Sequence, residues 1–402
     1  MVVEWFDMTL GEFVRLQRGH DLTEAERRPG SVPIMGSAGP HGFHDIAKAR
    51  SPGVVIGRSG VGSMGVVSYC AADYWPHNTV LYVTDFLGNN ERFTYYLLKH
   101  LNLRRFDSGS AQASLNRNFI YPIRVRVPDR RQQQAIANVL VAFDEKINLN
   151  RRMNETLEAM ARAIFKDWFV DFGPTRAKMK GRPPYLAPEI WTLFPDLLGN
   201  AGKPEGWRDK PLDQIAEFLN GLALQKYPAS GEAYLPVIKI AQLRAGHTAG
   251  ADRASTSVPP AYVVDNGDVL FSWSGSLLHR VWTGGRGALN QHLFKVTSAE
   301  YPKWFFFHWI AHHMPDFQAT AAGKATTMGH IQRHHLARAI TIVPSQDLMR
   351  VGQECIGRLL ELVIANDLQS ETLAATRDLL LPKLMSGEVR VREAERLAEA
   401  AA

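Results

Sequence analysis

The chain has 402 residues, 46 Lys and Arg against 40 Asp and Glu, and 45% apolar side chains. That is length for two or three domains with proper cores, and a mildly basic balance that permits nucleic acid as a partner without requiring it. Two cysteines, Cys70 and Cys355, exclude a disulfide framework, and the longest apolar stretch, residues 304–314, is too short to span a bilayer and carries His308, His312 and His313. With no signal-peptide layout at the start, a cytoplasmic protein outside the membrane is expected.

In chain order, Val54-Val55-Ile56, Val66-Val67, Val80-Leu81-Tyr82-Val83 and Ile123 to Val127 are short β-branched runs that read as strands. A helical run, residues 91–101, sits between the last two. After Pro128-Asp129 the chain continues to about Phe172 with no Gly or Pro. Apolar residues recur there at Ile136, Leu140, Phe143, Ile147, Leu157, Ala161 and Ile164, in steps of 4 and 3 with a polar middle at Asn150 and Asn154. This is a coiled-coil seam on one long helix. The Pro- and Gly-rich stretch 173–206 reads as a linker.

The pattern then begins again. Trp5-Phe6-Asp7 through Leu10 is echoed by Trp207-Arg208-Asp209 through Leu212, and Gly19 by Gly221, all at one offset; Val127-Pro128 matches Val343-Pro344, and Glu155-Thr156-Leu157 matches Glu371-Thr372-Leu373. Strand candidates recur at Val269-Leu270-Phe271, Leu293 to Val296 and Ile340 to Val343, with a helical run at 303–313. A second long helix covers 346–385, with Ile356, Leu359, Val363, Leu373 and Leu380 on its seam and Asn366 at the place of Asn150. Gly352 and Gly357 weaken its start, and Pro382 is expected to end its regular part. The repeat predicts an α+β fold: two similar mixed α/β domains separated by two long antiparallel coiled-coil helices, related by a pseudo-twofold. The boundaries are 1–128, first domain; 129–172, central helix; 173–206, linker; 207–344, second domain; 345–388, distal helix; 389–402, tail. Asn150 and Asn366 should fix the helix register, because a polar seam residue costs stability but specifies alignment.

Most chemical motifs dissolve in context. Gly60 to Gly65 matches G-x-G-x-x-G, but a strand rather than a helix follows, so it reads as a glycine-rich hairpin and not a dinucleotide site. Asp129, Asp144, Glu145 and Lys146 suggest a nuclease set, yet Asp144 is mid-helix, on what reads as a solvated face. His308 with His312, and His330 with His334, have zinc-compatible spacing without a third ligand, so no metal is expected. There is no G-x-x-x-x-G-K-[ST] phosphate loop and no Asn-Pro-Pro-Tyr-like base-flipping segment. No nucleophile has a convincing catalytic partner.

Two polar loops remain. Residues 109–117 and 323–333 precede the last strand of each domain and differ from each other while their flanking strands agree. Gln, Asn, Arg, Ser and Lys are the side chains that read base edges and hold phosphates. The candidate DNA contacts are Arg58 and Ser59 beside the hairpin, Gln112, Ser114, Asn116 and Arg117 in the first loop, and Lys324, Thr326, His330 and Arg333 in the second. An ordinary surface loop stays open as the alternative.

Residues 144–172, from Asp144-Glu145-Lys146-Ile147 through Asp167-Trp168-Phe169-Val170, resemble the specificity subunits of type I restriction–modification systems. So does Leu379-Leu380-Leu381-Pro382-Lys383-Leu384-Met385-Ser386-Gly387-Glu388. The resemblance extends over nearly the whole chain. It implies two target recognition domains held apart by the helix pair, each reading half of a split, asymmetric sequence in double-stranded DNA. It implies methyltransferase (M) and motor-nuclease (R) subunits as partners. No cofactor is expected on this chain; S-adenosylmethionine, ATP and Mg belong to the partners. A stand-alone DNA-modifying enzyme and a protein-binding repeat scaffold are the alternative functions.

Overall fold

The structure is a computed structural model that describes residues 4–60, 62–106, 114–323 and 329–401. Gln112, Lys324 and Thr326 lie outside the described residues. The chain divides into two compact units, 1–148 with 372–402, and 149–371.

In the first unit Trp5–Thr9 pairs antiparallel with Arg124–Pro128. Thr9 then starts the one-turn helix Leu10–Phe13 through a capping box with Glu12, which satisfies two orphan amides reciprocally. A four-stranded antiparallel sheet follows in the order Arg15–Arg18, Val80–Asp85, Gly53–Gly57, Val67–Cys70. Gly53–Gly57 is buried along its length, as its unbroken apolar run requires. Helix Glu91–His100 is capped by the Asn90 side chain, which accepts from the Phe93 amide at 2.8 Å. It buries Phe93, Tyr96, Leu97 and Leu98 in a core shared with Leu10, Phe13, Ile56 and Leu103.

The second unit repeats this plan. Arg208–Pro211 pairs with Ile340–Val343, and a four-stranded sheet runs Glu217–Asn220, Leu293–Thr297, Val269–Ser272, His279–Val281. A second sheet, Arg253–Ala254, Leu235–Ile238, Gly287–Leu289, Val263–Val264, lies in the same unit. The helix Lys303–Ala322 is longer than its counterpart and carries an aromatic core of Trp304, Phe305, Phe306, Trp309 and Phe317.

The long helices form as the seam predicts. Arg130–Phe165 leads into a π turn, Lys166–Val170, and stops where Phe172 adopts a left-handed φ of 56°. The distal helix is Gln346–Gly352, a π turn Gln353–Gly357, and Arg358–Ser386. Within the first unit Ile136, Leu140 and Phe143 are buried with Leu373, Leu380 and Leu384. Within the second, the Asn150 amide donates to Gln369 Oε1 at 2.8 Å and the Asn154 amide to Asp367 Oδ1 at 2.8 Å and to the Val363 carbonyl at 3.2 Å. Rising numbers on one strand of the pair meet falling numbers on the other, so the packing is antiparallel. The Asn366 amide donates back to Asn154 Oδ1 at 2.8 Å.

Four sequence expectations change. Pro382 lies inside its helix, because Leu380, Leu381, Leu384 and Met385 are all buried and hold the backbone helical on both sides of the ring. Asp144 is not on a solvated face: Tyr96 and Arg377 both bond its carboxylate. Residues 173–206 are more than a tether, with a short helix Gly173–Met179 and with Phe194 packed edge-on to Trp168 at 5.4 Å. The tail contains the helix Val391–Ala401, whose Ala394 is fully buried in the first unit's core. Gly352 also has a purpose beyond weakening a helix: a Cβ there would stand 2.5 Å from the Trp304 ring, so only glycine admits the indole against the backbone. Among the described residues no helix is long and apolar enough to cross a membrane.

Candidate nucleic-acid interface

In the first unit the glycine-rich segment closes as a hairpin between antiparallel strands, with the Gly57 amide donating to the Val66 carbonyl and the Gly65 amide to Gly57, both at 2.7 Å. Gly60, Gly62 and Gly65 have φ of 108°, 81° and 76°, which explains the glycines without any nucleotide. The hairpin delivers Arg58 and Ser59 to the loop before the last strand. The Leu115 amide donates to the Arg58 carbonyl at 2.8 Å, and Ser59 bridges Ser114.

Arg58, Ser114, Asn116 and Arg117 thus line one cleft of about 540 Å³ together with Gln17, Arg18 and His20. Some of these side chains also hold the frame. The Asn116 side chain caps Arg117–Ile120, accepting from the Asn118 amide at 3.0 Å. Arg117 Nη1 donates to the Leu16 carbonyl at 2.9 Å, tying the loop to the first sheet strand. Arg18 is paired with Asp21 at 3.0 Å. The Asn78 amide and then Arg18 hold the Asp21 carboxyl below the usual carboxylate range. The Arg58 guanidinium has no side-chain partner among the described residues and is the cation left over for a ligand.

The floor of the cleft depends on Gly19. A Cβ at that position would sit 2.0 Å from the His77 carbonyl oxygen, and one at Gly221 would sit 2.2 Å from the Asn290 carbonyl oxygen. Both glycines precede a parallel bridge, His20 with His77 and Leu222 with Asn290.

The second unit builds the same frame from the same backbone bonds. The Ile331 amide donates to the Trp273 carbonyl at 2.9 Å, and Ser274 bridges His330. Gln332 precedes the helix Arg333–Arg338 as Asn116 precedes Arg117–Ile120. Trp273-Ser274 therefore stands where the first unit has Arg58-Ser59, and Leu219-Asn220-Gly221 where it has Gln17-Arg18-Gly19. The Trp273 indole N–H donates to Asn220 Oδ1 at 2.8 Å and to the Gln291 carbonyl at 3.1 Å. Ser274 Oγ meets His292 Nδ1 at 2.9 Å. Sequence reasoning picked His330 and Arg333 here but missed Trp273 and Asn220. The pairing of Gly19 with Gly221 was the available signal, since the residues before the two glycines, Arg18 and Asn220, hold the same place in the two frames.

The histidine pairs also resolve. His308 is buried, its Nδ1–H donating to the Trp304 carbonyl at 2.8 Å, and burial pushes its imidazole down to about 4. His330 lies before the helix that holds His334, so the two do not share a helical face. Among the described residues no group of three or more His, Cys, Asp or Glu side chains could hold a metal ion.

A family model described as the type I restriction modification DNA specificity domain matches residues 2–159. The type I restriction enzyme MjaIX specificity subunit of Methanocaldococcus jannaschii is 25% identical over 318 residues, covering 76% of this chain and 71% of the relative. The HindI specificity subunit of Haemophilus influenzae is 23% identical over 322 residues, covering 66% and 69%. In fold, the chain is similar to the crystal structure of the type I restriction-modification S subunit from M. genitalium, with a TM-score of 0.56, 16% identity and coverage of 95% and 96%. Residues 2–159 thus match a type I restriction modification DNA specificity domain, and along most of its length the chain, two domains of one plan each with a share of a paired long helix, is similar to the specificity subunits of type I restriction enzymes.

Proposed function

We propose that each cleft reads one half of a bipartite, asymmetric duplex DNA sequence, and that the helix pair sets the number of unread bases between the halves. One observation carries this: the two domains share a backbone frame, Leu115 on Arg58 in one and Ile331 on Trp273 in the other, but carry different side chains on it. A shared frame with unlike linings suits a split site whose halves differ. The proposed partners are double-stranded DNA, methyltransferase (M) subunits and motor-nuclease (R) subunits, which supply the S-adenosylmethionine, ATP and Mg chemistry. Gln112, Lys324 and Thr326, outside the described residues, stay candidate DNA contacts by their side-chain chemistry alone.

The test is modification-sensitive sequencing of a host carrying this chain with its methyltransferase partner. Arg58→Ala should alter or weaken selection in one half of the methylated motif only, and Arg333→Ala in the other half only. A motif indifferent to both changes, or one whose two halves respond to each change alike, overturns the proposal.

A further inference from the structure

We infer that Asn220 and Trp273 read an A·T base pair in the second domain's half-site, where the equivalent place in the first domain presents Arg58 to a guanine. The inference rests on the bipartite reading above and adds the class of base that each cleft takes.

Trp273 occupies Arg58's station, but its one polar atom is already spent. The indole N–H is held by Asn220 Oδ1 at 2.8 Å and by the Gln291 carbonyl at 3.1 Å, so it has nothing to donate to a base. What the half-buried ring still offers is carbon. In the major groove the only apolar group is the C5-methyl of thymine. The ring cannot swing away, since His292, Phe294 and His330 pack around it at centroid distances of 6.0, 6.1 and 6.3 Å.

Asn220 stands at Arg18's station and is exposed. The indole N–H fixes which way its amide points, with Oδ1 toward Trp273. One oxygen lone pair and the amide N–H₂ remain, and the N–H₂ makes no hydrogen bond among the described residues. An acceptor beside a donor is what adenine N6–H and N7 require. Adenine and the thymine methyl belong to one base pair, so a single A·T step satisfies both side chains. In the first domain the corresponding pair is Arg18, occupied by Asp21, and Arg58, whose fork matches guanine O6 and N7.

The experiment uses the full chain assembled with its methyltransferase partner on a duplex carrying the mapped motif, the halves assigned by Arg58→Ala. Replacing thymidine by deoxyuridine in the second half should lower binding about four-fold at the position read, the value of one buried methyl. In Trp273→Ala that thymidine–deoxyuridine difference should vanish. Trp273→Phe keeps a ring but frees the Asn220 amide, so it should retain methyl discrimination while losing discrimination between adenine and 7-deazaadenine. In the first half, 7-deazaguanine should cost between about 5- and 150-fold, and nothing further in Arg58→Ala. A second half without an A·T pair, or equal losses on thymidine and deoxyuridine in every variant, overturns the inference. If the variants each act on their own half but the base analogues do not discriminate, this inference alone fails. If no variant acts on either half, the bipartite reading fails with it.

Discussion

Asp144 and Arg377, which face each other between the two helices of the first unit, form an ion pair with little solvent around it. Their side chains are 23% and 14% exposed, and Tyr96 closes the third side with its hydroxyl donating to Asp144 Oδ2 at 2.6 Å. Burial and that hydrogen bond push the Tyr96 phenol up, while burial and then the Arg377 charge pull Lys99 down.

Removing one partner of such a pair strands the other charge. Arg377→Met should lower stability by about 2–4 kcal/mol, whereas Asp144→Asn combined with Arg377→Met should recover most of the loss. Urea unfolding midpoints of the two variants and the double variant check this; additive losses would show that the pair is not a coupled unit.

Gly19→Ala and Gly221→Ala should each cost about 1–3 kcal/mol, because the new methyl overlaps a backbone carbonyl oxygen that the adjoining bridge holds in place. Since each glycine belongs to one cleft, methylation mapping should find only one half of the motif relaxed by each change.

Acid should loosen the second domain. His308 is held neutral with a folded pKa of about 4 against an ordinary 6.5. Between those values the unfolded chain binds the proton and the folded one resists it, so stability falls as pH drops from 6.5 towards 4. At about 1.4 kcal/mol per pKa unit the full effect approaches ~3 kcal/mol. The urea midpoint should decline over that window, and His308→Gln should lessen the decline, with His279, which burial also pushes down to about 4, keeping the remainder; an unchanged slope in the variant removes His308 as a cause.

Helix length should set the unread spacer, but only when both helices change. Asn150 and Asn154 are bonded to Gln369 and Asp367 on the opposing helix, so four residues inserted beside Asn150 alone slide one seam past the other. Matched insertions beside Asn150 and Asn366 add about 6 Å at 1.5 Å per residue, which is roughly two base pairs of B-DNA at 3.4 Å each. The doubly extended chain should methylate the same two half-sequences at a wider spacing. Methylation mapping that returns the original spacing with full activity would refute the role of the helices as a ruler.

How far the sequence carried these conclusions depended on the range of the forces involved. The strands at Val54, Val80 and Val269 and the seam from Ile136 to Ile164 were legible because periodicity is local, and Gly19 with Gly221 because the repeat set them side by side. Arg377 as the partner of Asp144 was not legible, since no local pattern links residues so far apart in the chain. Pro382 was misread because propensity stops a helix only where burial does not hold it. Trp273 escaped because the search was for charge and amide chemistry, and the second cleft puts an aromatic ring where the first has a cation. Arg117 and Asn116, named for their chemistry, serve in the structure as a strap and a cap.

The backbone bonds that frame both clefts have a consequence for how such a protein changes over generations. Leu115 on Arg58 and Ile331 on Trp273 are joined through amide and carbonyl groups, so the side chains at positions 58 and 273 take no part in the joint. Substitution there leaves that joint in place, although at position 273 it also gives up the ring's packing on His292, Phe294 and His330 and the indole bond to Asn220. The same joint accepts an arginine in one unit and a tryptophan in the other. The two units of one plan carry those two side chains on one chain.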